Sequence, residues 1–114
     1  MFYMLSKNEN GQWEESLYRG KSKQYKDEID KLEVAKVIDF EVRGKTYAEK
    51  QDNLRGLAID FQIAHDLPVE SDGLSTVLSM ISLSWKEWYD LRNFFRTNGR
   101  RYGLLREFKE NCIC

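Results

Sequence analysis

"VAKVIDFEVRGKTYAEKQDNLRGLAIDFQIA", residues 34–64, changes its hydrophobic period partway along. Ile38, Phe40 and Val42 alternate with Asp39, Glu41 and Arg43, the period of two that a half-buried strand requires. Gly44 ends the alternation. Thr46 and Glu49 then stand three apart as a T-x-x-E capping box, whose side chains satisfy amides that a helix start leaves orphaned. Beyond it Leu54, Leu57, Ala58, Phe61 and Ala64 recur at helical spacing, which predicts one apolar face for about five turns. Gly56 lies inside that helix, and close packing against a sheet is the expected reason for tolerating its propensity cost of ~1 kcal/mol.

Toward the N-terminus, residues 2–6 and 12–18 are short runs rich in aromatic and aliphatic side chains, joined by "NENG". Asn and Gly tolerate positive φ, so the pair reads as a β-hairpin. Ser22 precedes "KQYKDEIDKLE", where Tyr25, Ile29 and Leu32 form one narrow helical stripe on a charged helix. Toward the C-terminus, "DLPVESDG" at 66–73 holds the only proline and is expected to be a loop. "LSTVLSMISL" at 74–83 suits a strand or a short buried helix, with β-branched and serine content favouring the strand. Ser84 and Glu87 make a second capping box that opens a helix through Thr97, with Asn98-Gly99 as its left-handed stop. A last helix from about Arg101 carries Tyr102, Leu105 and Phe108 on one side. The expectation is one α+β domain over residues 1–114, with a small, mainly antiparallel sheet and about four helices packed on it. The sheet comprises the hairpin and one or two further strands.

Composition removes several function classes. Eighteen basic and nineteen acidic side chains nearly cancel, so no global field draws the chain to DNA or an anionic membrane. No window approaches the ~20 apolar residues of a membrane span, and the start lacks the basic and small-residue signals of secretion. The only cysteines, Cys112 and Cys114, crowd the last three positions, which suits a reducing cytoplasm rather than a disulfide framework.

Catalytic constellations are equally scarce. His65 is the only histidine, which rules out a His-rich metal site within one chain. Its expected role is a cation near a helix C-terminus, favoured by the helix dipole. The glycines occur singly, without a phosphate-binding loop. Adjacent carboxylates such as Glu14/Glu15 and Asp27/Glu28 diverge and are expected on the solvated surface, not in acid–base work. The C-x-C ending lacks the four ligands of a structural zinc site, unless a dimer shares the ion, and lacks the pattern of a prenylation signal. Cys112 and Ile113 are expected to pack on the domain. No enzyme, cofactor or metal is expected.

The helix from 85 carries more information. Trp88, Leu91 and Phe95 centre its core face, with Trp85, Tyr89, Arg92 and Arg96 along the neighbouring stripe and Arg100 and Arg101 just beyond. Residues 84–114 hold seven basic and four acidic side chains, a net of +3, against −4 for residues 1–83. Three readings fit: half-buried aromatics with solvated or paired arginines, a protein-binding hot spot, or a surface that stacks bases and binds phosphates. The candidate partner-binding residues are Trp85, Tyr89, Arg92, Arg96, Arg100 and Arg101.

"RRYGLLREFKENCIC" after "LSWKEWYDLRNFF" resembles the ends of small uncharacterised proteins encoded by phages and mobile elements of Gram-positive bacteria. Cys112 stands where those endings carry glycine. The resemblance implies an intracellular accessory protein of a phage, in the cytoplasm of the host cell. Such a protein binds and blocks a bacterial host protein, a CRISPR nuclease or another defence factor among the targets. Separately, the chain is expected to be a monomer or a homodimer. A small nucleic-acid-binding regulator is the alternative.

Overall fold

The computed structural model describes residues 1–72 and 82–113, with 66–72 described by the backbone alone. It contains β1 (Phe2–Lys7), β2 (Trp13–Tyr18), a 3₁₀ turn (Ser22–Tyr25), α1 (Lys26–Asp30), β3 (Glu33–Asp39), α2 (Tyr47–Asp72), α3 (Trp85–Arg101) and α4 (Leu105–Glu110). The architecture is α+β, and the described residues form a small antiparallel sheet of order β2-β1-β3. The strand expected within 74–83 falls largely outside the described residues; Ser82–Ser84 are irregular.

The chain divides into two compact units, Met1–Phe40 with Asp60–Leu83, and Glu41–Ile59 with Ser84–Cys114. The long helix α2 contributes a part to each.

In the sheet unit, β1 is buried along almost its whole length because both of its edges are paired and both of its faces are covered. The hairpin register runs from Phe2 opposite Tyr18 to Lys7 opposite Trp13. Its loop closes on Asn8, whose Oδ1 accepts from the amides of Asn10 and Gln12, both at 3.0 Å, while Gly11 takes φ 76°. This is an Asx-type turn, in which a side chain imitates a backbone acceptor. On one face Phe2 stacks on Tyr18 at 5.0 Å and meets Tyr25 at 5.5 Å. On the other, Tyr3 and Phe40 meet Phe61 of α2 edge-on at 5.1 and 6.4 Å.

Strand β3 starts earlier than its alternation suggests and ends at Asp39. Leu5 faces Lys36 and Ser6 faces Val34, so Ala35 is an extra residue in the ladder. That bulge breaks the period of two in Glu33–Lys36 and hides this part of the strand from a periodicity reading. Ile38 and Phe40 are buried as expected, whereas Val42 lies beyond the strand and is half-buried. The expected first helix is shorter than its stripe. It is a 3₁₀ turn followed by five α-helical residues, and Leu32 is left 43% exposed past its end.

Helix α2 begins at its capping box. Glu49 N donates to Thr46 Oγ1 at 3.1 Å, and Glu49 Oε2 accepts from the amides of Lys45 and Thr46 at 2.7 and 3.4 Å. Leu54, Leu57, Ala58, Phe61 and Ala64 are all buried. Of the expected loop at 66–73, residues 66–72 instead continue this helix, Pro68 included, and 73 lies outside the described residues. A proline removes one intrahelical hydrogen bond and crowds the preceding turn, but extending a helix already nucleated costs far less than starting one. Among the described residues Gly56 has nothing within 4 Å of where a Cβ would sit, so the expected close packing is not found there.

In the helical unit, Leu91, Phe95, Leu104 and Phe108 form the buried centre, with Phe95 and Phe108 edge-on at 5.6 Å. Helix α3 does not stop at Asn98-Gly99. It runs through Gly99 to Arg101, because Gly99 is buried against the Phe108 ring, whose nearest carbon lies 2.9 Å from a hypothetical Cβ. The left-handed stop is Gly103, φ 72°, with the Leu104 amide donating to the Gly99 carbonyl at 2.7 Å. Tyr102 therefore caps α3 instead of opening the last helix, and the buried residues here are Phe108 of α4 and Leu104 just before it rather than a Tyr102/Leu105/Phe108 side.

Helix α4 ends the same way. The Ile113 amide donates to the Phe108 carbonyl at 2.8 Å and that of Cys112 to Lys109 at 3.2 Å, the two bonds of a Schellman motif. Cys112 takes φ 58° and is exposed, so of the expected packed pair only Ile113 is half-buried.

Candidate functional site

The surface of α3 is set by where the helix starts. Ser84 Oγ accepts from the Glu87 amide at 3.2 Å, and Glu87 Oε1 accepts from the Ser84 amide at 2.9 Å. With the start pinned, Leu91 and Phe95 turn inward and Trp88 is half-buried beside them. At 100° per residue, Arg92 and Arg96 then lie about 20° to either side of Trp85, and Tyr89 about 40° from it. Trp85 is 86% exposed and Tyr89 63% exposed.

Trp85, Trp88, Tyr89, Arg92, Asn93 and Arg96 line a groove of about 300 Å³. Four of the six expected site residues thus come together. Arg100 continues the same face about 60° from Trp85, one turn past Arg96, and does not line the groove. Arg101 lies about 160° around the helix from Trp85, because α3 continues to that point instead of stopping at Thr97. Trp88 and Asn93 join the groove unannounced. The helical wheel centres Trp88 on the core face, yet its half-buried ring also lines the groove.

The electrostatics of the groove follow from pairing. Elsewhere in the helical unit Arg43 pairs with Glu41 at 3.3 Å, Arg55 with Glu107 at 2.9 Å and Asp52 at 3.4 Å, and Arg106 with Glu110 at 3.2 Å. Among the described residues, Arg92, Arg96, Arg100 and Arg101 form no ion pair. Glu107 is taken by Arg55, and Glu87 holds the helix cap. Among the described residues, therefore, no anion pairs with the cations beside the exposed aromatic rings.

A second cluster lies in the sheet unit. Glu15 is buried, with none of its side chain exposed, contrary to the expected solvated surface. Its Oε2 accepts from Tyr3 Oη at 2.7 Å and lies 2.8 Å from His65 Nδ1. Its Oε1 is buried and has no hydrogen-bond partner among the described residues. His65 sits within α2 rather than at its end, with its ring stacked on Phe61 at 5.8 Å and its side chain 35% exposed. The expected dipole role is replaced by this pairing. Burial foremost, then the Glu15 charge and hydrogen bond, push the Tyr3 phenol well above its ordinary value. A signal was present: Trp13, Glu15 and Leu17 share one face of β2, and Glu15 is the one acid among them. Chemically the cluster ties β1, β2 and α2 through one carboxylate.

Among the described residues no three His, Cys, Asp or Glu side chains gather as a metal site, and no helix is long and apolar enough to cross a membrane. No protein-family model matches the chain, and neither a curated protein nor a solved structure is significantly similar to it.

Proposed function

We propose that this chain is a non-enzymatic binding protein that engages a bacterial host protein through the outer face of α3 and inhibits it by occlusion. The observation that carries this reading is Trp85, almost fully exposed, beside Arg92 and Arg96, which form no ion pair among the described residues. Exposed tryptophan and unpaired arginine are the side chains that interface hot spots favour. The resemblance of the C-terminal segment to phage and mobile-element proteins supports a setting in the host cytoplasm. A defence factor, such as a CRISPR nuclease, is the proposed target. The ring or rings enter a pocket on the partner while the arginines meet its carboxylates or take contacts that its nucleic acid needs.

The test is the double variant Arg92→Glu/Arg96→Glu. Both positions are exposed, so the variant keeps the wild-type unfolding curve while its capture of a partner from a Gram-positive host lysate drops. Equal capture by variant and wild type removes this face. Nucleic-acid binding through the same face is the second reading. Binding to random DNA or RNA at physiological salt, weakening steeply as salt rises, favours it over the first.

A further inference from the structure

Resting on the reading of α3 as a protein-binding face, we infer that its occupant is a short acidic segment with one aromatic or aliphatic anchor at one end. The groove is not uniform along the helix. Its first turn offers Trp85, Trp88 and Tyr89, and the following turns offer Arg92, Asn93, Arg96 and then Arg100. Apolar contact is concentrated at one end and positive charge at the other.

The dimensions define the ligand. Trp85 to Arg100 spans about 22 Å of helix axis, the reach of about seven residues of extended chain. Arg92 lies about 5 Å and Arg100 about 17 Å along the axis from Tyr89. Carboxylates about two to five residues from the anchor therefore meet the arginines while the anchor rests on the rings. Each guanidinium can take a carboxylate with two parallel hydrogen bonds, which the internally unpaired state of these arginines leaves open.

The same division disfavours a polynucleotide. A single strand carries a phosphate on every nucleotide, and one stacked on Trp85 and Tyr89 would cross an end of the face that has no arginine. Lys86, the one cation in that turn, lies about 100° from Trp85. Three cations on the face, Arg92, Arg96 and Arg100, also fall short of the six to ten phosphate contacts, roughly, of strong non-specific binders.

The test uses the full chain and labelled octapeptides. The first carries tryptophan at one end, a glycine spacer and glutamates over the rest, made in both chain directions. The second replaces each glutamate with glutamine, and the third probe is oligothymidylate of matching length. Fluorescence anisotropy is read at physiological salt. The expected result is binding of the acidic peptide in at least one direction. Affinity falls about tenfold or more in Trp85→Ala and in Arg92→Glu/Arg96→Glu, with unfolding midpoints near wild type. Equal binding of the glutamine peptide overturns the acidic occupant, and tighter binding of oligothymidylate overturns the protein class. No binding of any probe at about 1 mM overturns the inference. Failure here with lysate capture still lost in the double variant leaves the face as an interface for a different ligand. Failure of both removes the face.

Discussion

Gly56 and Gly99 both lie inside helices, and their surroundings give an added methyl group opposite consequences. At Gly56 a Cβ meets open space, so alanine gains helix propensity without a clash. At Gly99 it would press on the Phe108 ring from 2.9 Å, and that ring is buried and held edge-on by Phe95. Gly56→Ala is expected to stabilise the protein by about 0.5–1 kcal/mol and Gly99→Ala to destabilise it by about 1–3 kcal/mol. Denaturant midpoints for the two variants check both signs. A glycine in a sequence states only that something is permitted there. Whether the reason is a turn, a close neighbour or none at all depends on residues elsewhere, such as Phe108, nine positions beyond Gly99.

At the scale of elements, the chain uses one C-terminal device twice. Gly103 ends α3 and Cys112 ends α4, each in the left-handed region and each followed by an amide that reaches back six residues' span to a helix carbonyl. Glycine adopts this conformation freely, whereas a cysteine Cβ crowds the backbone. Cys112→Gly is expected to raise stability by about 1 kcal/mol, measured by thermal or urea unfolding under reducing conditions. An unchanged midpoint would show that this six-residue helix frays ahead of global unfolding. Both capping boxes, Thr46/Glu49 and Ser84/Glu87, were legible as motifs because their partners are three residues apart. The ends of α2 and α3 were not, since Pro68 and Asn98-Gly99 carry strong local stop signals, yet both helices run on past them.

At the scale of the whole molecule, the buried Tyr3–Glu15–His65 cluster sets an alkaline limit. The native Tyr3 phenol holds its proton above the ordinary value of 10.0, while the unfolded chain releases it near that value. Above about pH 10 the native state therefore binds more protons than the unfolded state, and stability falls as pH rises; below it the contribution is fully present. Tyr3→Phe is expected to flatten this alkaline fall. It also lowers stability at neutral pH by about 1–3 kcal/mol, since Glu15 loses a donor while one of its oxygens is already unpartnered. Urea midpoints from about pH 8 to 11 for both proteins check the slope.

The sequence by itself determined what depends on neighbours a few positions apart. These were the hairpin about Asn8–Gly11, the caps at Ser84 and Thr46, the buried stripe of α2, and the adjacency of Trp85, Tyr89, Arg92 and Arg96 on one helix. Only the tertiary structure decided what depends on residues brought together from far along the chain. Glu15 looked like one more surface acid until β1 and α2 placed Tyr3 and His65 against it, twelve and fifty residues away. Likewise Arg101 left the face of Trp85 only because Phe108 packs on Gly99 and the helix runs on. Hydrogen bonds and side-chain spacing along one helix or turn are fixed by local geometry. Burial and pairing between distant residues are set by the packing that encloses them.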